Sequence, residues 1–409
     1  MKEPFSNTAD LKEDLANGEN DNSLSILPKK TSTKIIIFVV ILLVTIGLLV
    51  LVFFLLNING NSKSDSNEEE DDKSYPTPTR IDNSSISREI SCIYSVKNIK
   101  SKIPLLSKDF QNSNNAIVQI YIYNETIPYI PYTKEYSFSK IGNYSIHFIL
   151  NSNVNMDYMF KGISNIIAVN VYAKSIINVV SMKSVFEGCS NLINVIINDK
   201  NFNTKKVTDM SGMFRGCKSL AHFGLSSFDT SNVKKMTYMF NHCDSLTSIK
   251  LENFKTQNVD DMGYMFSDLY NLASLSIKSF DTRNVKNMEY MFHNDYKIEN
   301  IDVSRFRTEN VTKMNGMFCN CHNLTKIKTE NFNTGKVTTF DYTFANCTNM
   351  KILNLKSFHT VNCKSFKEMF SGCHLMIVEV HENVTRYRNL LDEILHSDVN
   401  IRFLLNDEY

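Results

Sequence analysis

Histidine and cysteine stand together at His242-Cys243, Cys319-x-Cys321-His322 and Cys373-His374, residue pairs from which metal centres and thiol nucleophiles are built. Zinc sites, however, space their cysteines about two to four residues apart and their histidines about three to five apart. These groups are widely separated and lack that spacing, so no metal is expected. A nucleophile needs a recognisable setting as well. GxSxG, HExxH and CxxC are absent, as are the GxGxxG and GxxxxGK loops that cradle phosphate. No cofactor and no catalysis are expected. The acidic run Asn67-Glu-Glu-Glu-Asp-Asp72 reads as a solvated linker rather than a calcium site.

Charge and composition narrow the classes further. The chain has 409 residues, with 44 Lys+Arg against 43 Asp+Glu and a formal net charge of +1. Nucleic-acid binding normally shows as a basic stripe, so nucleic acid is not an expected partner. Nine cysteines, an odd number over a long chain, do not make a small disulfide scaffold.

The chain must also be placed. Ile35 to Leu56 carries no charge and is long enough, at 1.5 Å per residue, to cross a hydrocarbon core of about 30 Å. Lys29, Lys30 and Lys34 precede it and the acidic run follows, which favours a cytoplasmic N-terminus. The expected order is a cytoplasmic tail at 1–34, a transmembrane helix at 35–57 and an acidic, Pro-containing stalk at 58–89. The C-terminal domain is then extracellular, and the membrane itself is one partner.

Beyond residue 150 the chain repeats. Phenylalanine recurs at 160, 186, 214, 240, 266, 292, 318, 344 and 370, with every interval 26 residues except the 28 between 186 and 214. A second phenylalanine keeps the same period at 202, 228, 254, 280, 306, 332 and 358. In one unit, Val233, Met236, Phe240 and Cys243 are spaced as on one face of a short helix, with Thr230 placed to cap it. Leu246-x-x-Ile249-x-Leu251 follows and fits a strand. For the Val-x-x-Met portion neither pattern is long enough to decide between helix and extended chain. A helix and a strand per unit predict an α/β solenoid of about nine coils, each burying its apolar face against the next.

The repeat FxTxxVxxMxxMFxxCxxLxxIxL resembles the BspA-type leucine-rich-repeat surface proteins, most clearly in VTDMSGMFRGCKSL, NVKKMTYMFNHCDSL and NVTKMNGMFCNCHNL. The likeness covers roughly residues 154–380. It implies a leucine-rich-repeat solenoid on a cell surface, non-catalytic, with roles in adhesion or recognition. Leu269 and Asp295 depart from the cysteine, Phe340 and Thr343 from the methionines, and Cys363 from the valine. The coil around Asp295 is expected to be looser.

Residues 90–150 carry β-branched and aromatic runs and read as a small β-rich capping module before a solenoid at 151–383, with a C-terminal cap at 384–409. The register cysteines read as buried small hydrophobes rather than disulfides, since stacked helices stand further apart than a disulfide spans. Candidate glycosylation sites are Asn83, Asn124, Asn143, Asn310, Asn323 and Asn383, while Asn346, beside a register cysteine, is expected to be too buried. Lys250, with Lys326 and Lys328, gives the outward strand positions their positive charge. Tyr238, Tyr264 and Tyr290 fall at one register position of consecutive coils, off the buried face, and are the candidate contact residues for an extracellular protein or glycan. The reading is thus of a recognition or adhesion protein, with a ligand-free coat or spacer as the alternative.

Overall fold

In each coil the apolar side chains recur every two to four residues, so the chain must turn repeatedly to send them all inward. The computed structural model describes residues 86–404 apart from 124–128, 375, 382–387, 396 and 398. All of these belong to the unit Lys73–Tyr409. Within a coil, the inward turns close by bonds to the carbonyl three residues back: Met239 N to Met236 O (3.2 Å), Cys243 N to Phe240 O (3.1 Å) and Leu246 N to Cys243 O (3.1 Å). The alternate N–H groups point along the stack instead. Met236, Tyr238, Phe240 and His242 donate to Asp261, Gly263, Met265 and Ser267 of the next coil, at 3.0, 3.0, 3.0 and 3.2 Å.

That pattern corrects the expected α/β class. The molecule is a predominantly β-solenoid of about nine coils, with one α-helix, Arg388–Leu395, and one 3-10 turn, Ser113–Asn115, among the described residues. The Val-x-x-Met-x-x-x-Phe-x-x-Cys stretch is not helical, for a local reason. Tyr238 and His242 sit at φ 59° and 57°, a left-handed conformation that an α-helix of L-residues cannot hold. A short helix gains little by itself, whereas the turns free every second N–H to join coil to coil. Among the described residues no helix is long and apolar enough to cross a membrane. The span expected at 35–57, with the tail and most of the stalk, lies outside the described residues.

Thr230 does not cap a helix either. Its hydroxyl donates to Lys255 O (3.0 Å) and accepts from Lys255 N (2.7 Å), joining its coil to the next. Thr256 does the same with Asp281, and Thr282 with Arg307. These threonines are buried, so each staple satisfies two groups that water cannot reach.

Two phenylalanine columns fill the interior. The rings of Phe160, Phe186 and Phe214 stack with centroids 5.6 Å apart and planes within 8°. The column continues through Phe240, Phe266, Phe292, Phe318 and Phe344 to Phe370. In the second column Phe254 is 1% exposed. On another side of the coil, short parallel strands such as Ser248–Lys250 and Ser274–Ser276 pair residue for residue.

The strands before the repeat join it directly. Arg88–Val96 pairs antiparallel with Gly142–Leu150 on one side and with Ile166–Ala173 on the other. Ile166–Ala173 then pairs in parallel with Asn194–Ile196, and that with His222–Gly224; with Ile117–Ile122 and Tyr129–Ile130 beyond Gly142–Leu150 they form one seven-stranded sheet. The free edge of the first coils is therefore covered by an antiparallel strand. At the far end, Asn400–Leu404 adds in parallel to Ile377–His381, while Leu390 and Ile394 of the helix are buried.

Candidate recognition face

The tyrosine position is a backbone position before it is a side-chain one. Tyr158, Ser184, Gly212, Tyr238, Tyr264, Tyr290, Gly316, Tyr342 and Glu368 all occupy it with φ between 51° and 62°. Glycine is at ease there, whereas a larger residue costs of order 1–3 kcal/mol. Tyrosine nevertheless holds it in three consecutive coils. Tyr238 and Tyr264 stack at 4.6 Å and 14°, and Tyr264 and Tyr290 at 5.0 Å and 20°. Arg215 lies over the outer face of Tyr238, 4.7 Å from the ring centre. At the other end a side chain on residue 316 would collide with the Tyr290 ring, so glycine there lets the ladder finish. The rings are half-buried, and burial raises the pKa of all three phenols, most for Tyr264. All three hydroxyls stay protonated and able to donate at neutral pH. The sequence placed these residues off one face of a helix; the structure places them on left-handed turns, in one row.

A second ladder was missed. Tyr270, Tyr296 and His322 directly follow the cysteine register of successive coils; the two tyrosines stack at 5.4 Å and His322 lies tilted against Tyr296 at 5.1 Å. Tyr296 is 37% exposed, and burial pushes the Tyr270 phenol up to about 12. The signal was the 26-residue interval from Tyr270 to Tyr296.

A polar column accompanies the two ladders. Asn346 donates to Asn320 (2.7 Å), Asn320 to Asn294 (2.7 Å) and Asn294 to the Asp268 carboxylate (2.6 Å). Asn241 donates to the other Asp268 oxygen at 2.8 Å. His242 and His293 stand 3.7 and 3.8 Å from the same carboxylate, and burial lowers the pKa of His293. Tyr290 meets His293 edge-on at 5.3 Å, which ties the first ladder to this column. Aromatic edges, imidazoles and amides thus gather on the coils between Tyr238 and His322.

The remaining candidates scatter. Lys250, Lys326 and Lys328 are exposed; the last two flank buried Ile327. Asn143 is exposed, whereas Asn310 is bonded to Arg283 O and Lys336, and Asn323 accepts from Asn349. Asn346 is half-buried and its amide is engaged in the column above. Asn83, Asn124 and Asn383 lie outside the described residues.

The chemistry of cleavage finds one constellation that the sequence did not show. Ser145 Oγ lies 3.1 Å from His147 Nε2, and His147 Nδ1 lies 2.8 Å from Ser91 Oγ, which donates to Glu89 at 2.8 Å. A carboxylate only accepts, so Ser91 gives its proton to Glu89 and takes one from Nδ1. The imidazole is 1% exposed, and the strand N–H groups around it are paired in the sheet, leaving no donors for an oxyanion. The group is a satisfied polar network inside the sheet. Among the described residues no cluster of His, Cys, Asp or Glu is arranged to hold a metal, and all nine cysteines are free and buried.

The family model described as "Mycoplasma protein of unknown function, DUF285" matches residues 154–275, 241–351 and 296–390, together over half of the chain. The chain belongs to the DUF285 family. The overlapping DUF285 matches run through the coils that carry both aromatic ladders, so these side chains sit on the family's repeat. Repeat family and solenoid architecture are established together. No curated protein and no solved structure matches the chain.

Proposed function

We propose that the protein is a cell-surface recognition protein that binds an extracellular protein through the face bearing Tyr238, Tyr264 and Tyr290. The observation that carries this reading is the backbone at the three tyrosines. Each is held left-handed where glycine serves in the Gly212 and Gly316 coils, and such strain tends to persist where the side chain has a task. Tyrosine offers rigid amphipathic contact area at low entropic cost, and the neighbouring ladder adds exposed Tyr296. The likeness to BspA-type leucine-rich-repeat proteins supports surface display and attachment.

The ring geometry bears on the class of partner. Sugars stack on open ring faces, but here the faces are taken by the next ring or by Arg215, and the last one, of Tyr290, lies against Gly316. What is presented is edges and hydroxyls, which suits protein groups better than a glycan. A second reading, in which the ladder only packs, is favoured by the same ring-on-ring contact. The full chain should be screened against immobilised matrix proteins and glycans. Saturable binding to a protein supports the reading; binding to glycans alone, or to nothing, counts against it.

A further inference from the structure

At residue 295 the cysteine column holds a carboxylic acid. In six coils the thiol of this column donates to a phenylalanine carbonyl of the preceding coil. Cys189 donates to Phe160 (3.0 Å), Cys243 to Phe214 (3.1 Å), Cys321 to Phe292 (3.0 Å) and Cys347 to Phe318 (3.2 Å). Cys217 and Cys373 do the same to Phe186 and Phe344. Five of those carbonyls, all but that of Phe292, also close the turn of their own coil, as Phe214 O does with Cys217 N at 3.0 Å.

Around Asp295 both bonds change. Leu269 N–H turns away from its own coil and donates to Asp295 Oδ1 at 3.0 Å. The Phe266 carbonyl, which would accept that N–H and a thiol, is left with neither. Asp295 Oδ2 is buried without a partner, and the whole residue is 0% exposed. An orphaned acceptor and an orphaned acid oxygen thus occupy the register where elsewhere a donor meets a carbonyl. By this register, a proton on Oδ2 would supply the donor that the thiol supplies in other coils.

We infer that Asp295 is held as the neutral acid, donating from Oδ2 to the Phe266 carbonyl in place of the column's thiol, and that this proton latches the coil bearing Tyr290 and Tyr296. An ionised carboxylate here would be a buried charge with one oxygen unpartnered, an arrangement of high cost. The titratable groups bearing on it are Asp268 of the preceding coil and Cys321 of the following one, and neither is a cation. Burial raises the carboxyl well above the usual range, Asp268 adds to that, and the Leu269 N–H opposes it. The backbone ladder runs unbroken through this coil, with Tyr290, Phe292 and Asn294 bonded to the next coil at 2.9 Å each.

Above the unfolded carboxyl value, about 3.9, the folded chain keeps a proton that the unfolded chain has lost. Stability then falls as pH rises, by up to about tenfold in the folding equilibrium per pH unit, until the folded value is passed. The consequence for the tyrosine ladder rests on the recognition reading; the protonation itself does not.

The test uses the full chain, Asp295→Asn and Asp295→Cys. Denaturant midpoints are followed between about pH 5 and about pH 9, and infrared spectra are taken at neutral pH. Wild type should lose midpoint with rising pH relative to both variants, and should show a protonated-carboxyl C=O band that Asp295→Asn lacks. Parallel pH profiles for all three chains, or no such band in wild type, would overturn the inference. Binding to the partner is measured separately, so failure of the recognition reading leaves these readouts intact.

Discussion

Tyr264 lies over Tyr238 with ring centroids 4.6 Å apart and planes 14° from parallel, although both residues hold a backbone conformation that glycine adopts freely. Stacking of aromatic pairs contributes about 0.5–1.5 kcal/mol beyond their buried area, which offsets much of the conformational cost. Strain and stacking therefore cancel to within the size of either. A single Tyr264→Gly should change stability by no more than about 1 kcal/mol, because it removes both together. Thermal melting checks this, and a large loss would show that the ladder is chiefly packing.

The staples are a separate contribution. Thr256→Val keeps the shape of the side chain and removes both bonds to Asp281. The expected cost is about 1–3 kcal/mol, since the Asp281 backbone groups lose their partner where water has little access. A substitution without effect would mean that water replaces the hydroxyl.

Phe254 is 1% exposed in the middle of the second column, and Phe254→Ala should cost about 3–5 kcal/mol. Each coil packs only against its neighbours, so protection from hydrogen exchange should fall in the adjacent coils as well. A loss confined to one coil would contradict the stacked core.

The thiols give a chemical check. Burial pushes all six register cysteines up, Cys373 to about 11, and none is paired. The thiolate is the reactive form, so the folded protein should resist a thiol reagent near neutral pH and expose nine reactive groups once denatured. Rapid labelling of the native chain would show that the column is open.

Coil number, phenylalanine columns and the buried cysteines could be read in the sequence because a 26-residue period survives many substitutions. The class of the coil could not. Val233, Met236, Phe240 and Cys243 have the spacing of a helical face, and a series of left-handed and right-handed turns sends the same residues inward. The sign was glycine at Gly212, Gly316, Gly188 and Gly216, all with positive φ. Tyrosine and histidine at the equivalent places in other coils concealed it. The second ladder and the Asp268 column were overlooked because their members change type from coil to coil. Ser91 and His147 meet only through strand pairing across 56 residues, which no local pattern announces.

In the proposed function the tyrosine ladder contacts the partner. The most direct measurement of that contact is attachment of the full chain to matrix-coated surfaces, comparing wild type with the triple change of Tyr238, Tyr264 and Tyr290 to Gly. Glycine already occupies this position at 212 and 316, so the triple variant should fold and melt cooperatively. Attachment should weaken by at least about tenfold, the scale of losing a central tyrosine contact. Full attachment by a folded triple variant would contradict it.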